Sequence, residues 1–340
     1  MPNKLAYYNY SRILGYNGTY NFLVGGRGLG KTFGAKKKVF RDAIKKGHEF
    51  IYLRRYKQEL ATARNTFFAD IAEMFPAQDF RINGSVAQWA DAATRDEKKR
   101  EWHTMGYFIS LSTAQNQKSV AFPKVRTIIF DEFIIERGAV HYLPNEAMIF
   151  NNFYSTVDRY QDKTKVFFLA NSVSMMNPHF LEYEIRPDEG KEFLVKADGF
   201  IVCHFPDSEE FTNSVYETKF GKFIKGTEYA DYAVGNTFED NNENMLRLKD
   251  SRSHYRFTIE TKNGSFSVWY NMHNDEYFIQ EKLPKSQIVY TLVSEKMDTH
   301  KMLMTFTDKP LARLRTSFRA GSVWFDTPKT RNTFAEIFKR

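Results

Sequence analysis

The chain has 340 residues, 42% of them hydrophobic, which is enough for a sizeable core and long enough that two domains are expected. Lys and Arg outnumber Asp and Glu by 49 to 41, a formal charge of +8 that favours a polyanionic partner without naming one. A single cysteine, Cys203, excludes an intrachain disulfide; the opening "MPNKLAYYNY" lacks a signal peptide's apolar segment; and runs such as "TIIF" are far short of the ~20 residues of a membrane span. The expectation is a cytosolic protein with no membrane partner.

In chain order, "YNFLVG" reads as a strand, Thr32 to Lys46 as a helix, "EFIYL" as a strand and Gln58 to Phe75 as a helix. "GYFISLS", "VRTIIF" and "KVFFLA" read as further strands. Strands alternating with helices predict an α/β domain built on a mostly parallel sheet. Between Asp79 and Ser112 short strands around the charged "TRDEKKRE" suggest a hairpin excursion. Polar, mixed sequence over 206–236 suggests a linker with one or two short helices. From 237 onward "HYRFTIE", "GSFSVWYN", "DEYFIQ" and "QIVYTLV" are β-rich, and a basic helical stretch closes the chain. The expected organisation is thus a nucleotide-binding domain over 1–205, a linker over 206–236 and a smaller β-rich α+β domain over 237–340.

The first chemistry-bearing motif is "GGRGLGKT", comprising Gly25, Gly26, Arg27, Gly28, Leu29, Gly30, Lys31 and Thr32. It satisfies G-x-x-x-x-G-K-[ST] in the required context, with a strand before it and a helix after it. Glycines let the backbone curl so that successive N–H groups point at phosphate oxygens, which the helix N-terminus also favours. Lys31 is expected to reach the β- and γ-phosphates of ATP, and the Thr32 hydroxyl to ligate Mg2+.

The second is "TIIFDEF", a strand ending in two acids. Asp131 is placed to hold Mg2+ through water and Glu132 to polarise the attacking water. Two carboxylates at a strand end are costly unless solvent or a cation meets them. The strand "KVFFLAN" ends in Asn171, a candidate for sensing the γ-phosphate or positioning water, though an asparagine in a turn needs no such role. Arg54, Arg55 and Lys57 follow "EFIYL" at the phosphate-binding edge, and Arg159 precedes the Asn171 strand as a candidate arginine finger; each also suits a plain surface cation. "LSTAQ" at Leu111 to Gln115 is similar to a transporter signature loop, but Thr113 and Ala114 replace its glycines, and it is set aside. His141, His179 and His204 lack metal-ligand spacing.

These blocks, together with "FIYLRRYKQEL", "YLPNE", "LANSVSMMNPHF" and "FGKFIKGTEY", in this order, resemble the DNA-packaging (encapsidation) ATPases of phi-29-like tailed phages over about the first 235 residues. The resemblance implies a P-loop additional-strand (ASCE) ATPase that assembles as a homo-oligomeric ring, usually a pentamer. Such a ring docks on the portal of an empty prohead and draws in double-stranded DNA, commonly with a packaging RNA as a further partner. It would act in the host cytoplasm, transiently on the portal, and be absent from the mature virion. It places Lys31 and Thr32 at the phosphate and Mg2+ positions, Asp131 and Glu132 at the Walker B pair, Arg159 at a finger supplied in trans, and Arg54, Arg55 and Lys57 in a basic cluster whose reach includes the subunit interface.

The C-terminal third suits a vestigial nuclease of RNase H-like fold. Its first strand has no central Asp, and Asp275, Glu276, Asp298 and Asp326 lie mostly in apparent turns, so no DNA cleavage is expected. From Lys309 to Arg340 eight Lys or Arg stand against Asp326 and Glu336, which suits phosphate contact as well as a solvated helix. Lys118 and Lys124, in "STAQNQKSVAFPK", are candidate DNA contacts in a loop leaving the strand before the Walker B strand. Two other readings stay open: a small-molecule P-loop kinase, and a non-catalytic nucleic-acid-binding adaptor.

Overall fold

The structure, a computed structural model, describes all residues except 1–6, 95, 97–98, 118–119, 136–140, 173–176, 186–190, 207–208, 228–229, 231–245, 306 and 339–340. In chain order its elements begin with α1 (Ser11–Leu14), β1 (Tyr20–Gly25), α2 (Lys31–Lys46), β2 (Glu49–Arg54), α3 (Lys57–Asn65), β3 (Gln78–Asn83), β4 (Val86–Asp91), β5 (His103–Ser110) and β6 (Val125–Asp131). They continue with α4 (Glu146–Asp158), β7 (Lys165–Asn171), α5 (Pro178–Glu182), β8 (Phe193–Lys196), β9 (Ile201–His204), α6 (Glu209–Tyr216) and α7 (Lys219–Ile224). The last group is β10 (His254–Thr261), β11 (Gly264–Asn271), β12 (Glu276–Gln280), β13 (Val289–Thr291), β14 (Lys301–Leu303), α8 (Lys309–Arg319), β15 (Val323–Phe325) and α9 (Pro328–Phe338). The chain divides into two compact units: Met1–Gly138 with Ala147–Val173 and Arg186–Phe238, and Ala139–Glu146 with Ser174–Ile185 and Glu239–Arg340.

The first unit holds a sheet ordered β3-β4-β5-β2-β6-β7-β1-β9-β8. The strands from β5 to β9 run parallel, and β3, β4 and β8 are antiparallel additions at its edges. β7 lies between β1 and β6, so an additional strand separates the two phosphate-site motifs. Burial on both faces explains why β1 is fully buried along its length. Alternation sends Leu23, Ile129 and Phe167 to the cluster formed with Ala35, Val39, Phe40 and Ala43 of α2. Their neighbours Phe22, Phe130 and Phe168 point the other way, where Phe22 stacks on Phe168 at 4.1 Å and Phe130 on Phe150 of α4 at 5.7 Å. α2 ends at Gly47, whose φ of 64° suits a residue without a side chain and whose N–H closes on the Ala43 carbonyl at 3.0 Å.

Some elements differ from the sequence expectation. The helix expected over Gln58 to Phe75 stops at Asn65; the chain then turns, with Phe67 buried and Phe68 packed against the same core, and makes one short 3-10 turn at Ala72–Met74. The hairpin expected around "TRDEKKRE" is present as the antiparallel pair β4 and β5, and β3 and β4 form a further hairpin that turns at Gly84. β8 and β9 were not foreseen; β9 lies beside β1 and completes the sheet there.

The second unit has a six-stranded sheet, β14-β13-β10-β11-β12-β15, with β10, β11 and β12 antiparallel and β13 and β14 parallel to β10. One face packs Ile259, Phe266, Val268 and Ile279 against Leu311, Leu314 and Phe318 of α8 and Phe334 and Phe338 of α9. The closing basic stretch is therefore two helices separated by β15.

Candidate nucleotide site

Parallel strands deliver their C-terminal ends to one edge of the first sheet, and the candidate residues collect there. β1 and β7 are paired so that Gly25 lies opposite Asn171. β2 and β6 pair Leu53 with Phe130, so the next residues, Arg54 and Asp131, leave the sheet side by side. The result is a pocket of about 370 Å3 lined by Gly28, Gly30, Lys31, Thr32, Asp131, Glu132 and Asn171, with Tyr7, Phe33 and Ala170 completing its wall. Such edges, outside the carboxyl ends of parallel strands, are where α/β folds bind ligands.

The loop between β1 and α2 is curled by Gly28 and Gly30, with φ of 81° and 84°, values that a side chain would strain. Lys31 is buried and donates to the carbonyls of Gly25 (2.9 Å) and Gly26 (2.7 Å) and to Asn171 Oδ1 (3.0 Å). Its ammonium thus sits across the mouth of the curl, between the loop and the end of β7. Arg27 is exposed at the loop crest. The Leu29 side chain is 2% exposed and packs toward Gly25, and its carbonyl accepts the Tyr8 N–H at 2.9 Å.

Thr32 Oγ1 donates to Asp131 Oδ1 at 2.9 Å, bringing the two motifs together across 99 residues of sequence. Tyr52 donates to the other oxygen, Asp131 Oδ2, at 2.6 Å. Burial and the Asp131 carboxylate hold the Tyr52 phenol far above its ordinary range, so it remains a donor. Glu132 takes a left-handed backbone, φ 56°, costly for a residue with a side chain, and its side chain is 65% exposed. A hydroxyl, two carboxylates and a carboxamide around one opening form an oxygen donor set that fits Mg2+.

The basic cluster after β2 is divided. Arg54 forms ion pairs with Asp131 (3.3 Å) and with Glu132 of its own chain, and burial, which opposes its charge, is outweighed by Asp131, Tyr52 and Glu132. Arg55 corrects the expectation of a reach across an interface: it is 1% exposed and its guanidinium donates to the Phe133 carbonyl at 2.6 Å. A guanidinium held inside its own core has no freedom to leave. Lys57, the first residue of α3, is exposed.

Arg159 is not part of the pocket. It follows α4, six residues before β7 begins, and β7 runs about 20 Å to reach the site, so Arg159 lies at the sheet's opposite edge. Lys124 also lies at that opposite edge, just before β6. Lys118 falls outside the described residues.

Several contributors carry no local signal in the sequence. Tyr10 donates to the Lys31 carbonyl, and its ring fills the space where Gly34 of α2 would carry a Cβ. Tyr8 Oη bonds His204 Nδ1 at 2.7 Å, tying the segment before β1 to the end of β9. Pro206 and Phe211 back Gly25 and Gly28 from outside the loop. A tyrosine-rich start and a strand tyrosine read only as core, since their partners are set by tertiary register.

The family model described as "Podovirus DNA encapsidation protein (Gp16)" matches residues 2–340. The chain belongs to this family. It is similar to the DNA packaging protein of Bacillus phage phi29, 33% identical over 348 residues, covering 99% of this chain and 98% of the relative. Among solved structures it is similar to a chain of the bacteriophage Phi-29 viral genome packaging motor assembly, with a TM-score of 0.59 and 32% identity over 98% of this chain and all of that one. The N-terminal domain of the phi29 DNA packaging ATPase aligns over 60% of this chain and 98% of its own length, with 36% identity and a TM-score of 0.52.

Proposed function

We propose that this chain is an ATP-driven motor that moves double-stranded DNA into a preformed prohead. The observation that carries the reading is the convergence of Lys31, Thr32, Asp131, Glu132 and Asn171 on one pocket at the end of the parallel strands, in a chain of the encapsidation family. Gly28 and Gly30 leave loop N–H groups open to phosphate oxygens. Lys31 exchanges its loop carbonyls for the β- and γ-phosphates, and Asn171 keeps the ammonium in line. Thr32 and Asp131 would hold Mg2+, which when bound neutralises phosphate charge. Glu132 orients and polarises the attacking water and takes up its proton.

The motor is a homo-oligomeric ring, a pentamer, on the portal, with Arg159 supplied to a neighbour's site, Lys57 at the interface and a packaging RNA as a further partner. It works in the host cytoplasm and leaves before the virion matures. Lys118 and Lys124 remain candidate DNA contacts. The ATPase domain spans 1–205, joined through 206–236 to a nucleic-acid- or portal-binding domain at 237–340. The order of β12, β11, β10, β13 and β14 supports an RNase H-like sheet for that domain. Cleavage of DNA is not part of this reading: Glu260, the carboxylate of β10, faces Lys301 at 3.3 Å and Lys296 at 3.9 Å, cations where a nuclease needs metal.

DNA-stimulated ATP hydrolysis tests the proposal. Glu132→Gln is expected to bind ATP but turn it over at least ~10²-fold more slowly, since the phosphate cradle is intact and the water-polarising group is lost. Hydrolysis indifferent to DNA would favour a kinase-like enzyme, and near-normal DNA handling by Glu132→Gln a non-catalytic adaptor.

A further inference from the structure

Two tyrosines of the segment before β1 rest on two glycines at the start of α2. Gly30 caps the helix and Gly34 lies one turn into it, its N–H donating to the Gly30 carbonyl at 2.9 Å, so the two share one side of the helix start. Tyr7 covers Gly30, with Cδ1 3.0 Å from where a Cβ would stand, and Tyr10 covers Gly34 in the same way. The two side chains differ in what else they do. Tyr10 donates to the Lys31 carbonyl and packs on Phe167, with ring centroids 5.9 Å apart, which accounts for it as structure. Tyr7 is 57% exposed, lines the nucleotide pocket, and its side chain has no hydrogen bond or ring contact among the described residues. The neighbouring Tyr8 N–H, bonded to the Leu29 carbonyl at 2.9 Å, ties the backbone to the phosphate loop, so the Tyr7 ring is held over that loop rather than carried on a loose end.

The polar groups of the pocket are tied to one another, Lys31 to Asn171 and Thr32 to Asp131. Phosphates held by that network leave the ribose and base to extend beyond it, and the aromatic wall they meet is Tyr7 and Phe33. Phe33, the residue after Thr32, is partly buried against the core, so of the two it is Tyr7 that offers an open ring. A ring fixed in advance stacks on a base with little further ordering, and stacking needs neither a charge nor a hydrogen bond. We propose that Tyr7 is the base platform of the pocket, its ring stacking on the nucleobase of the nucleotide whose phosphates Lys31 and Thr32 hold. The proposal rests on the nucleotide reading of the pocket and adds to it the group that tells a nucleotide from a bare polyphosphate.

The test measures binding of the full chain, with Mg2+ present, to a non-hydrolysable ATP analogue and to inorganic tripolyphosphate, which keeps the phosphates and lacks the nucleoside. Tyr7→Ala is expected to weaken the analogue at least ~10-fold and to leave tripolyphosphate within about twofold. Tyr7→Phe is expected to keep the wild-type affinity for both, since the ring and not the hydroxyl makes the stack. Tyr7→Trp is expected to bind as well, and its added fluorescence, taken as the difference from the wild-type chain, to be quenched by the analogue and not by tripolyphosphate. Unchanged analogue affinity in Tyr7→Ala overturns the proposal. Equal losses for both ligands also overturn it, because the ring would then support the phosphate loop instead of the base, and a Tyr7→Phe as weak as Tyr7→Ala would assign the effect to the hydroxyl. Lys31→Ala separates the two readings: it is expected to weaken both ligands, and if it weakens neither, the nucleotide reading of the pocket itself fails.

Discussion

Arg54, the last residue of β2, holds Glu132, the residue after β6, in an ion pair within the same chain. The same guanidinium lies 3.3 Å from Asp131 Oδ2, so one cation neutralises both acids of the pocket. In this state the Glu132 carboxylate, though largely exposed, is held by Arg54. Arg54→Gln removes the restraint and is expected to raise DNA-independent ATP turnover several-fold while lowering the ratio of DNA-stimulated to basal rate. Losing the competing cation near Asp131 should also lower the Mg2+ concentration needed for half-maximal activity. A variant with the wild-type stimulation ratio and Mg2+ dependence would show that the pair has no part in timing hydrolysis.

Gly34 tests the tie between the N-terminal segment and the phosphate loop. A methyl group there would overlap the Tyr10 ring, which is fixed by donation to the Lys31 carbonyl. Gly34→Ala helps the helix intrinsically by about 1 kcal/mol, yet overpacking typically costs 1–3 kcal/mol, so net destabilisation and weaker ATP binding are expected. Tyr10→Ala in the same chain frees the space. The double variant should be less unstable than the sum of the two singles, measured by chemical unfolding. Simple additivity would mean the ring and the glycine do not constrain each other.

How much of this was legible beforehand depended on how local each signal is. "GGRGLGKT" and "TIIFDEF" carry their own context, and the strands that deliver them are continuous apolar runs, so the pocket's polar lining could be named in advance. What joins them could not. Tyr52 and Arg54 meet Asp131 only because β2 pairs with β6 in one register, and sequence spacing says nothing of a register between residues 77 apart in the chain, as Arg54 and Asp131 are. Arg54 and Arg55 were equivalent as letters, but alternation sent one to the pocket and the other into the core. The same limit hid β9, whose "IVCH" is too short to stand out until β1 is there to pair with it.

His204 gives the first unit a pH dependence. It is buried at the end of β9, with Tyr8 on Nδ1, Phe193 stacked at 3.8 Å, Glu192 4.0 Å from Nε2 and Arg12 nearby. Burial, then Arg12, push its pKa down to about 4 from 6.5, and Glu192 opposes them only in part. The unfolded chain therefore binds a proton more readily than the folded one between those values. The contribution is fully present above about pH 6.5 and is lost as pH falls toward 4, by up to about 3 kcal/mol. Thermal unfolding scans should show Tm falling through this window, and His204→Leu should flatten that part of the curve. An unchanged pH slope in the variant would assign the acid sensitivity to other groups.

The turn that presents Arg159 is fixed by one carboxylate. Asp158 accepts backbone N–H groups from Gln161 and Asp162 at 2.9 Å, from Lys163 at 3.0 Å and from Thr164 at 2.9 Å. Burial would raise its pKa, but these donors outweigh burial and hold it below the usual carboxylate range. Arg159, Tyr160 and Asp162 all take left-handed φ near 53–55°, a conformation that persists only where surroundings over-determine it. Since Arg159 lies a strand's length from its own pocket, a role in hydrolysis requires a neighbouring subunit. Mixing inactive Arg159→Ala with inactive Glu132→Gln should then restore turnover at interfaces that pair an intact finger with an intact site. Asp158→Ala keeps the arginine but releases the turn, so it should behave as Arg159→Ala does: weak alone, and rescued by Glu132→Gln in mixed assemblies. If Asp158→Ala is fully active while Arg159→Ala is not, the finger does not need its scaffold. If mixed assemblies form and stay inactive, Arg159 does not act in trans.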